Sequence, residues 1–285
     1  MEGKIKRLIR ERGFGFITAE DVEPGIQKVT LDVSSLYLHP KEREQFEKKF
    51  LQFLKSDRVH SRIFERGNNR VIYRTECIIP KKKDKRPSLL LLFGNPASHS
   101  VASGMFFSCE RKGQEHRFWK ILSKADILSF PSFPKADSPK HLNERNQLRK
   151  SKLLELSYGS RFRIGLAVFY TMPSPATGYP WAGVAGLHRL FGKEALAKIG
   201  EREKERVDRI IRDFVSPNGA VIAFQKEAYL GVKSSGSPAY TLAKAKAGQL
   251  IGNCQCEPAV SLFCLPPTRL LLGYLDLLRD FCDRI

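Results

Sequence analysis

Apolar residues follow two different patterns along the chain, and each pattern predicts a different kind of structure. In residues 1–79 they occur in short stretches bounded by turn signals such as Arg66-Gly67-Asn68-Asn69, which is typical of strands joined by tight turns. The predicted strands are residues 4–9, 13–18, 29–33, 59–64 and 71–78. So many strands in so short a segment predict a small all-β barrel.

One helix is predicted within this barrel. Phe46, Phe50, Phe53 and Leu54 recur at helical spacing inside the charged segment 40–54. We therefore expect a helix between the third and fourth strands.

From Ser88 onward, short apolar stretches alternate with longer helical ones, as in a parallel sheet with crossover helices. The predicted strands are residues 89–93, 163–169, 220–224 and 260–265, and the predicted helices are residues 117–123, 185–197, 204–214 and 271–284. Residues 130–152 are rich in Pro, Ser, Asn and charge, which indicates a long mobile loop or lid. The fold class predicted for this part is α/β, with a four-stranded, mainly parallel sheet flanked by helices.

The change of pattern also predicts domain boundaries. Residues 1–80 form the barrel, residues 88–285 form the α/β domain, and the basic run 81–87 joins them. Such a run is typical of a solvated linker, and the alternative is that it follows a phosphate backbone.

Charge narrows the possible partners. The 285 residues include 49 Lys and Arg against 30 Asp and Glu, a net charge of +19, which attracts polyanions. No apolar stretch reaches the length of about eighteen residues needed for a membrane span, and no secretory signal or lipidation motif is visible. We therefore expect a cytoplasmic, monomeric protein that binds nucleic acid rather than a membrane.

The six cysteines do not predict a disulfide scaffold or a metal site. No two of them form a C-x-x-C pair, and Cys254 and Cys256 are separated by a single residue. His99 and His116 have no partner at metal-binding spacing. We expect reduced thiols, no metal and no cofactor.

The N-terminal segment resembles the cold-shock domain over residues 1–79. The matching residues are Gly3-Lys4-Ile5-Lys6, Arg12-Gly13-Phe14-Gly15-Phe16-Ile17-Thr18 and Glu20-Asp21. Alternation puts Phe14 and Phe16 on one face of a strand, where their rings can stack on unpaired bases or, alternatively, pack in the core.

Several positions depart from the cold-shock pattern. Arg7 and Leu8 replace an aromatic pair of the family, and Thr30, Asp32 and Val33 replace its later aromatic and histidine positions. The resemblance therefore implies an accessory module that binds DNA, or RNA, through Arg7, Phe14 and Phe16 and largely through charge.

The second part resembles the uracil-DNA glycosylase superfamily, nearest the branch that acts on mismatched uracil and thymine. The residues that carry the resemblance follow the strand 89–93 and are Gly94-Asn95-Pro96-Ala97-Ser98, Gly104-Met105-Phe106-Phe107 and Arg117-Phe118-Trp119. It implies that Asn95 positions the attacking water and that Phe107 stacks on a base turned out of the helix. It also places Gly94, Pro96, Ala97 and Ser98 around that base.

Alternatives remain for each of these residues. Asn95 before Pro96 is also a common turn pair, Phe107 and Trp119 are also suited to a core, and Ser98 is also suited to local hydrogen bonds.

The second motif of the superfamily is less well matched. Its place after the fourth strand is taken by Pro266-Pro267-Thr268-Arg269, in which the usual His or Asn is absent. The resemblance implies that Pro267, Thr268 and Arg269 contact DNA there. Met172-Pro173-Ser174-Pro175 matches the motif better in letters but follows the second strand, where the superfamily has a Pro-containing loop that helps to build the substrate groove.

Two hypotheses from different classes follow. The first is a monofunctional DNA-repair glycosylase that hydrolyses the N-glycosidic bond of uracil or a related damaged or mismatched base. The second is a non-catalytic nucleic-acid-binding protein that has kept the fold and lost the chemistry. An RNA chaperone acting through the first domain is disfavoured by the missing aromatic residues.

Overall fold

A computed structural model describes most of the chain. The described residues are 17–37, 39–67, 69–110, 114–131, 133 and 138–285. The predicted strand 4–9, most of the strand 13–18, and the candidate nucleic-acid contacts Arg7, Phe14 and Phe16 lie outside them.

The described residues of the N-terminal region form an antiparallel sheet of four strands. They are β1 (Ile17–Glu23), β2 (Ile26–Asp32), β3 (Phe64–Gly67) and β4 (Arg70–Glu76), in the order β1-β2-β4-β3. Strand β2 buries Ile26, Val29 and Leu31 and leaves the residues between them partly exposed, as expected for a sheet with one covered face. The prediction of a strand at residues 29–33 is therefore confirmed, with an earlier start.

Two helices accompany this sheet. Helix α1 (Pro40–Lys55) is the predicted one, with proline in its first turn and three buried phenylalanines. The predicted strand 59–64 is wrong, because this segment forms the short helix α2 (His60–Ile63) and the strand begins only at Phe64. Asp57 explains the difference: its carboxylate accepts a hydrogen bond from Val59 N at 3.1 Å and its carbonyl accepts one from His60 N at 3.1 Å, which favours a helical turn.

The second sheet has five strands and confirms the α/β class. They are β5 (Ser88–Phe93), β6 (Arg163–Val168), β7 (Ala220–Phe224), β8 (Ile251–Asn253) and β9 (Ser261–Leu265), in the order β6-β5-β7-β9-β8. The strands β5, β6, β7 and β9 are parallel and correspond to the four predicted ones. The fifth, β8, pairs antiparallel with β9 at the edge, and its three residues are too short for a periodicity signal.

In the part of the chain that the structure describes, eight further α-helices flank or follow the parallel strands. They are α3 (Ser98–Ser103), α4 (Arg117–Lys124), α5 (Pro139–Glu155), α6 (Gly183–Phe191), α7 (Lys193–Ile210), α8 (Lys226–Val232), α9 (Leu242–Lys246) and α10 (Leu275–Cys282). The predicted helix 185–197 is in fact parts of two helices, which Gly192 separates with a φ of 80°. The predicted helix 204–214 continues α7 into a π-helical turn, Ile211–Val215.

The prediction of a mobile loop at residues 130–152 is wrong, because α5 occupies most of it. Ser138 caps the helix by accepting a hydrogen bond from His141 N at 3.2 Å, and Pro139 opens its first turn. The buried face includes Leu142, Asn146 and Arg149. Because two of these residues are polar, the helix lacks the apolar stripe by which an amphipathic helix is predicted.

The two sheets share one hydrophobic core. Val29 and Phe46 belong to the same buried cluster as Leu92 and Phe191, and the ring of Phe46 stacks on that of Phe191 at 5.4 Å. Residues 81–85 of the basic run are exposed. Within the part of the chain that the structure describes, no helix combines the length and apolar character needed to cross a membrane.

Candidate functional site

The candidate site lies where the carboxyl ends of the parallel strands meet. Phe93 of β5, Phe224 of β7 and Leu265 of β9 are paired across the sheet, so the next residues, Gly94 and Gln225 among them, share one edge. The chain order reverses at β5, since β6 lies on one side of it and β7 on the other. Open parallel sheets bind ligands at such a reversal.

Asn95 is held by hydrogen bonds from one end of its amide. Its Nδ2 donates to Ser174 Oγ at 2.9 Å, Met172 O at 3.3 Å and Pro96 O at 3.4 Å. Because backbone carbonyls can only accept, these contacts fix which end of the amide is nitrogen. Among the described residues no donor reaches Asn95 Oδ1, so this atom remains available to accept from a water or a ligand.

The loop of Asn95 is joined to the loop that follows β6. Ser98 N donates to Ser174 O at 2.9 Å, and Ser174 N donates to Pro96 O at 3.1 Å, so the two loops pair like short parallel strands. The stretch Met172-Pro173-Ser174-Pro175 is thus the structural partner of the Asn95 loop.

The other predicted members of the base-binding set are placed as follows. Gly94, Pro96 and Ser98 are buried, and Ala97 is half-buried. The Ser98 hydroxyl forms a 2.8 Å hydrogen bond with Nε2 of His60, which comes from α2 in the N-terminal region. His60 Nδ1 is 2.9 Å from Phe53 O, and since that carbonyl can only accept, Nδ1 carries the proton and Nε2 accepts from Ser98.

Gln225 is a site residue that the sequence did not reveal. It follows β7, and a Cβ atom at position 94 would lie 2.1 Å from Gln225 Oε1, so any larger residue there would displace the end of this side chain. Its φ is 126°, a conformation that costs about 1–3 kcal/mol in a residue other than glycine and that clusters at functional sites. The only signal in the sequence is its position directly after the third parallel strand.

Phe107 is also held in an unusual conformation. Its φ is 50°, and its carbonyl accepts a hydrogen bond from Trp119 Nε1 at 3.0 Å. The half-buried ring lies 4.2 Å from the Phe118 ring and 5.0 Å from the Phe93 ring, measured between centroids. Phe107 therefore packs with Phe93 and Phe118 in an aromatic cluster at the end of β5, and part of its ring remains exposed to solvent.

Two histidines beside this cluster are neutral at neutral pH. His116 lies 4.9 Å from the Phe107 ring, and its Nδ1 accepts from Phe118 N at 3.2 Å. Burial lowers the pKa of His116 to about 4 and also lowers the pKa of His99. Both imidazoles can therefore act as hydrogen-bonding groups rather than cations.

The loop after β9 lies at the same edge of the sheet. Pro266 is buried, Pro267 and Thr268 are half-buried, and Arg269 is exposed at the start of a 3-10 helix, Thr268–Tyr274. Arg269 forms no ion pair with any carboxylate in the described part of the chain. It is available for a phosphate.

No group of three or more His, Cys, Asp or Glu side chains among the described residues is arranged to hold a metal ion. Burial raises the pKa of the Cys256 thiol to about 11 and that of the Cys264 thiol to about 12, so both are protonated at neutral pH.

No protein-family model matches the chain, and no curated protein is significantly similar to it.

Proposed function

We propose that the protein is a monofunctional DNA glycosylase that hydrolyses the bond between deoxyribose and uracil or a related damaged or mismatched base. One observation carries the proposal: Asn95 stands at the strand-order reversal with its Nδ2 fully engaged and its Oδ1 free to accept from a water. The proposal includes a uracil-DNA glycosylase-like fold for residues 88–285 and a cold-shock-like barrel for residues 1–80.

The residues of the site suit this reaction. A water aligned by Asn95 Oδ1 attacks the sugar carbon C1′ while the bond from C1′ to the base nitrogen breaks; the base departs as an anion and then takes up the proton that the water loses. The Gln225 amide, against Gly94, can donate to the base edge or stabilise that anion. The free part of the Phe107 ring can stack on the extruded base.

The same geometry sets a limit on the rate. An amide cannot remove a proton from water, and no carboxylate occupies position 95 or 225. We therefore expect slow excision that depends on the departing base being a good leaving group.

Base release from oligonucleotides that hold one uracil, hypoxanthine, xanthine or mismatched thymine tests the proposal. Asn95→Ala should abolish excision and leave DNA affinity nearly unchanged, because the Oδ1 contact acts mainly in the transition state. Asn253→Ala, an exposed asparagine on β8, is the matched control and should excise like the wild type.

Asn95→Asp tests whether the Asn95 amide donates to the loop as described. A carboxylate would place an oxygen against the carbonyls of Met172 and Pro96, where an N–H₂ group now donates. The substitution should therefore loosen the loop and lower the thermal midpoint. Excision by Asn95→Ala at the wild-type rate would refute the role of Asn95.

The second candidate function is nucleic-acid binding without catalysis. It is favoured by the loop after β9, where the Pro of the motif is present but the His or Asn that could stabilise the departing base is replaced. Undetectable release of every base, with intact DNA binding, would establish this alternative.

A further inference from the structure

The turn that follows Ser174 displays an exposed aromatic ring. Residues 171–175 are buried, residues 176–179 are exposed, and Tyr179 has 90% of its surface accessible. Among the large apolar side chains of the described residues, Tyr179 is the most exposed, followed by Leu272 at 53%.

The backbone of this turn is fixed on both sides of Tyr179. Gly178 O accepts hydrogen bonds from Trp181 N at 3.2 Å and from Ala182 N at 3.1 Å, and Gly183 N donates to Pro175 O at 3.3 Å. The Trp181 side chain is buried, with its ring 6.0 Å from that of Phe53. Tyr179 is therefore presented by a rigid turn, which lowers the entropic cost of binding through its ring.

Arg189 of α6 orients the ring. Its guanidinium carbon lies 5.2 Å from the ring centroid, and its Nη1 donates to the Tyr179 hydroxyl at 2.8 Å. Arg189 forms no ion pair with a carboxylate in the described part of the chain. The guanidinium thus lies beside the ring and bonds its hydroxyl, while most of the ring surface, including the opposite face, stays open.

The segment that carries Tyr179 has a small excess of positive charge, since Arg189 and Lys193 precede the next acidic residue, Glu194. Residues 171–193 contain His188, Arg189 and Lys193 and no Asp or Glu. An anionic partner is attracted to such a surface, whereas a cationic or neutral apolar partner is not favoured by it.

We propose that Tyr179 and Arg189 form a nucleic-acid contact, in which the open face of the ring stacks on an unpaired base and the guanidinium binds a neighbouring phosphate. An aromatic ring beside a cation is the combination that binds single-stranded nucleic acid. Tyr179 follows Ser174 by five positions in the chain, so the two Cα atoms lie at most about 18 Å apart. The inference rests on the nucleic-acid-binding part of the proposed function and does not require catalysis.

Fluorescence anisotropy with a labelled single-stranded oligonucleotide, over a range of salt concentrations, tests the contact. Tyr179→Ala should weaken binding by about five- to a hundredfold with an unchanged salt slope, because stacking releases no counterions. Tyr179→Phe keeps the ring and should bind nearly as well as the wild type. Arg189→Gln should reduce the magnitude of the salt slope by about 0.7, the value for one phosphate contact.

Leu242→Ala, which shortens another exposed apolar side chain, is the matched control and should leave the affinity unchanged. Wild-type affinity in Tyr179→Ala, or an equal loss in Leu242→Ala, would overturn the inference. The outcomes also separate it from the proposed function. Weaker binding by Tyr179→Ala in a protein that releases no base would support the contact and reject the glycosylase.

Discussion

The two sheets contribute to the candidate site in different ways. The parallel sheet buries every residue of β5 and β7, so only the ends of its strands are free to carry chemistry, and Asn95 and Gln225 stand there. The antiparallel sheet and its helices lie beside these loops and reach them with single polar side chains, His60 and Tyr73. The comparison shows that the N-terminal region supports the geometry of the site, in addition to any affinity for nucleic acid that it provides.

The two contacts act on different loops. His60 bonds Ser98 in the loop after β5, while the Tyr73 hydroxyl lies 2.9 Å from Thr171 Oγ1 in the loop after β6. Glu203 of α7 accepts from Thr171 N at 2.7 Å and from the Thr171 hydroxyl. These loops are the two that pair around Asn95.

The largest effect is expected from Glu203→Leu. This substitution removes the carboxylate that accepts hydrogen bonds from Thr171 within the parallel-sheet region. Glu203 is 1% exposed and also accepts from Arg206 Nε at 2.8 Å, so its loss leaves a partly buried guanidinium without a counter-charge. We expect the free energy of unfolding to fall by about 3–5 kcal/mol in urea denaturation. Glu201→Leu, at an exposed position of the same helix, should change it little; equal losses in both variants would contradict the argument.

His60→Leu should have the next largest effect, because it breaks the link between the regions. It leaves the buried Ser98 hydroxyl without its acceptor, whereas the Phe53 carbonyl keeps its hydrogen bonds from Ser56, and we expect a cost of about 2 kcal/mol in urea denaturation. If the protein excises bases, kcat should fall more than KM rises, since the Asn95 loop loses its support. His60→Gln should recover part of the rate, and His141→Leu, on an exposed face of α5, should match the wild type. A stable His60→Leu protein with normal kcat would show that the link has no such role.

Tyr73→Phe should have a smaller effect. It removes one hydroxyl, but Thr171 keeps its bond to Glu203, so no buried group on the other side loses all its partners. We expect a loss of about 1 kcal/mol in thermal or urea unfolding. In a double-mutant cycle with Thr171→Val, the effects of the two substitutions should not be additive, and additivity would mean that the 2.9 Å contact contributes nothing.

The smallest expected effect is a change in the pH dependence of stability. Burial lowers the pKa of His60, His99 and His116 below the value of about 6.5 expected in the unfolded chain. The unfolded state therefore binds more protons, so stability is retained above about pH 6.5 and is lost as the pH falls toward the folded-state pKa, about 4 for His116.

Urea denaturation between pH 7 and pH 5 measures this slope. His60→Gln removes the one histidine of the three that belongs to the N-terminal region, so its slope should be shallower than that of the wild type. An identical slope would show that the pKa of His60 is the same in the folded and unfolded states.

The sequence predicted those parts of the fold that depend on local patterns. The strands around β5 and the place of Asn95 after it follow from apolar stretches and motif order. Helix α5 was missed because Asn146 and Arg149 are buried through specific partners, which an apolar pattern does not encode: Asn146 Nδ2 donates to Ser108 O at 2.7 Å, and Arg149 lies over the Trp119 ring at 4.5 Å. Strand β8 was missed because of its length.

The sequence predicted only those members of the candidate site that belong to a motif of neighbouring residues, such as Asn95. The place of Gln225 in the site depends on its positive φ and on its packing against Gly94, which is distant in sequence. A sequence pattern predicts neither of these. The contact between His60 and Ser98 spans 38 positions and is set by how the two regions pack. The proposed stacking of Phe14 and Phe16 remains a prediction, because both residues lie outside the described part.

The edges of the parallel sheet have a consequence for behaviour at high concentration. An open strand edge offers unpaired N–H and C=O groups to another molecule, which is how sheets join into aggregates. Here one edge ends in β8, a strand of only three residues that runs against its neighbour, and at the other edge Ile78 exchanges both of its backbone hydrogen bonds with Leu166 in the middle of β6. The β6 edge is therefore covered by the segment that follows β4 and joins the two regions, so protection of that edge against sheet-driven association depends on how the regions are connected.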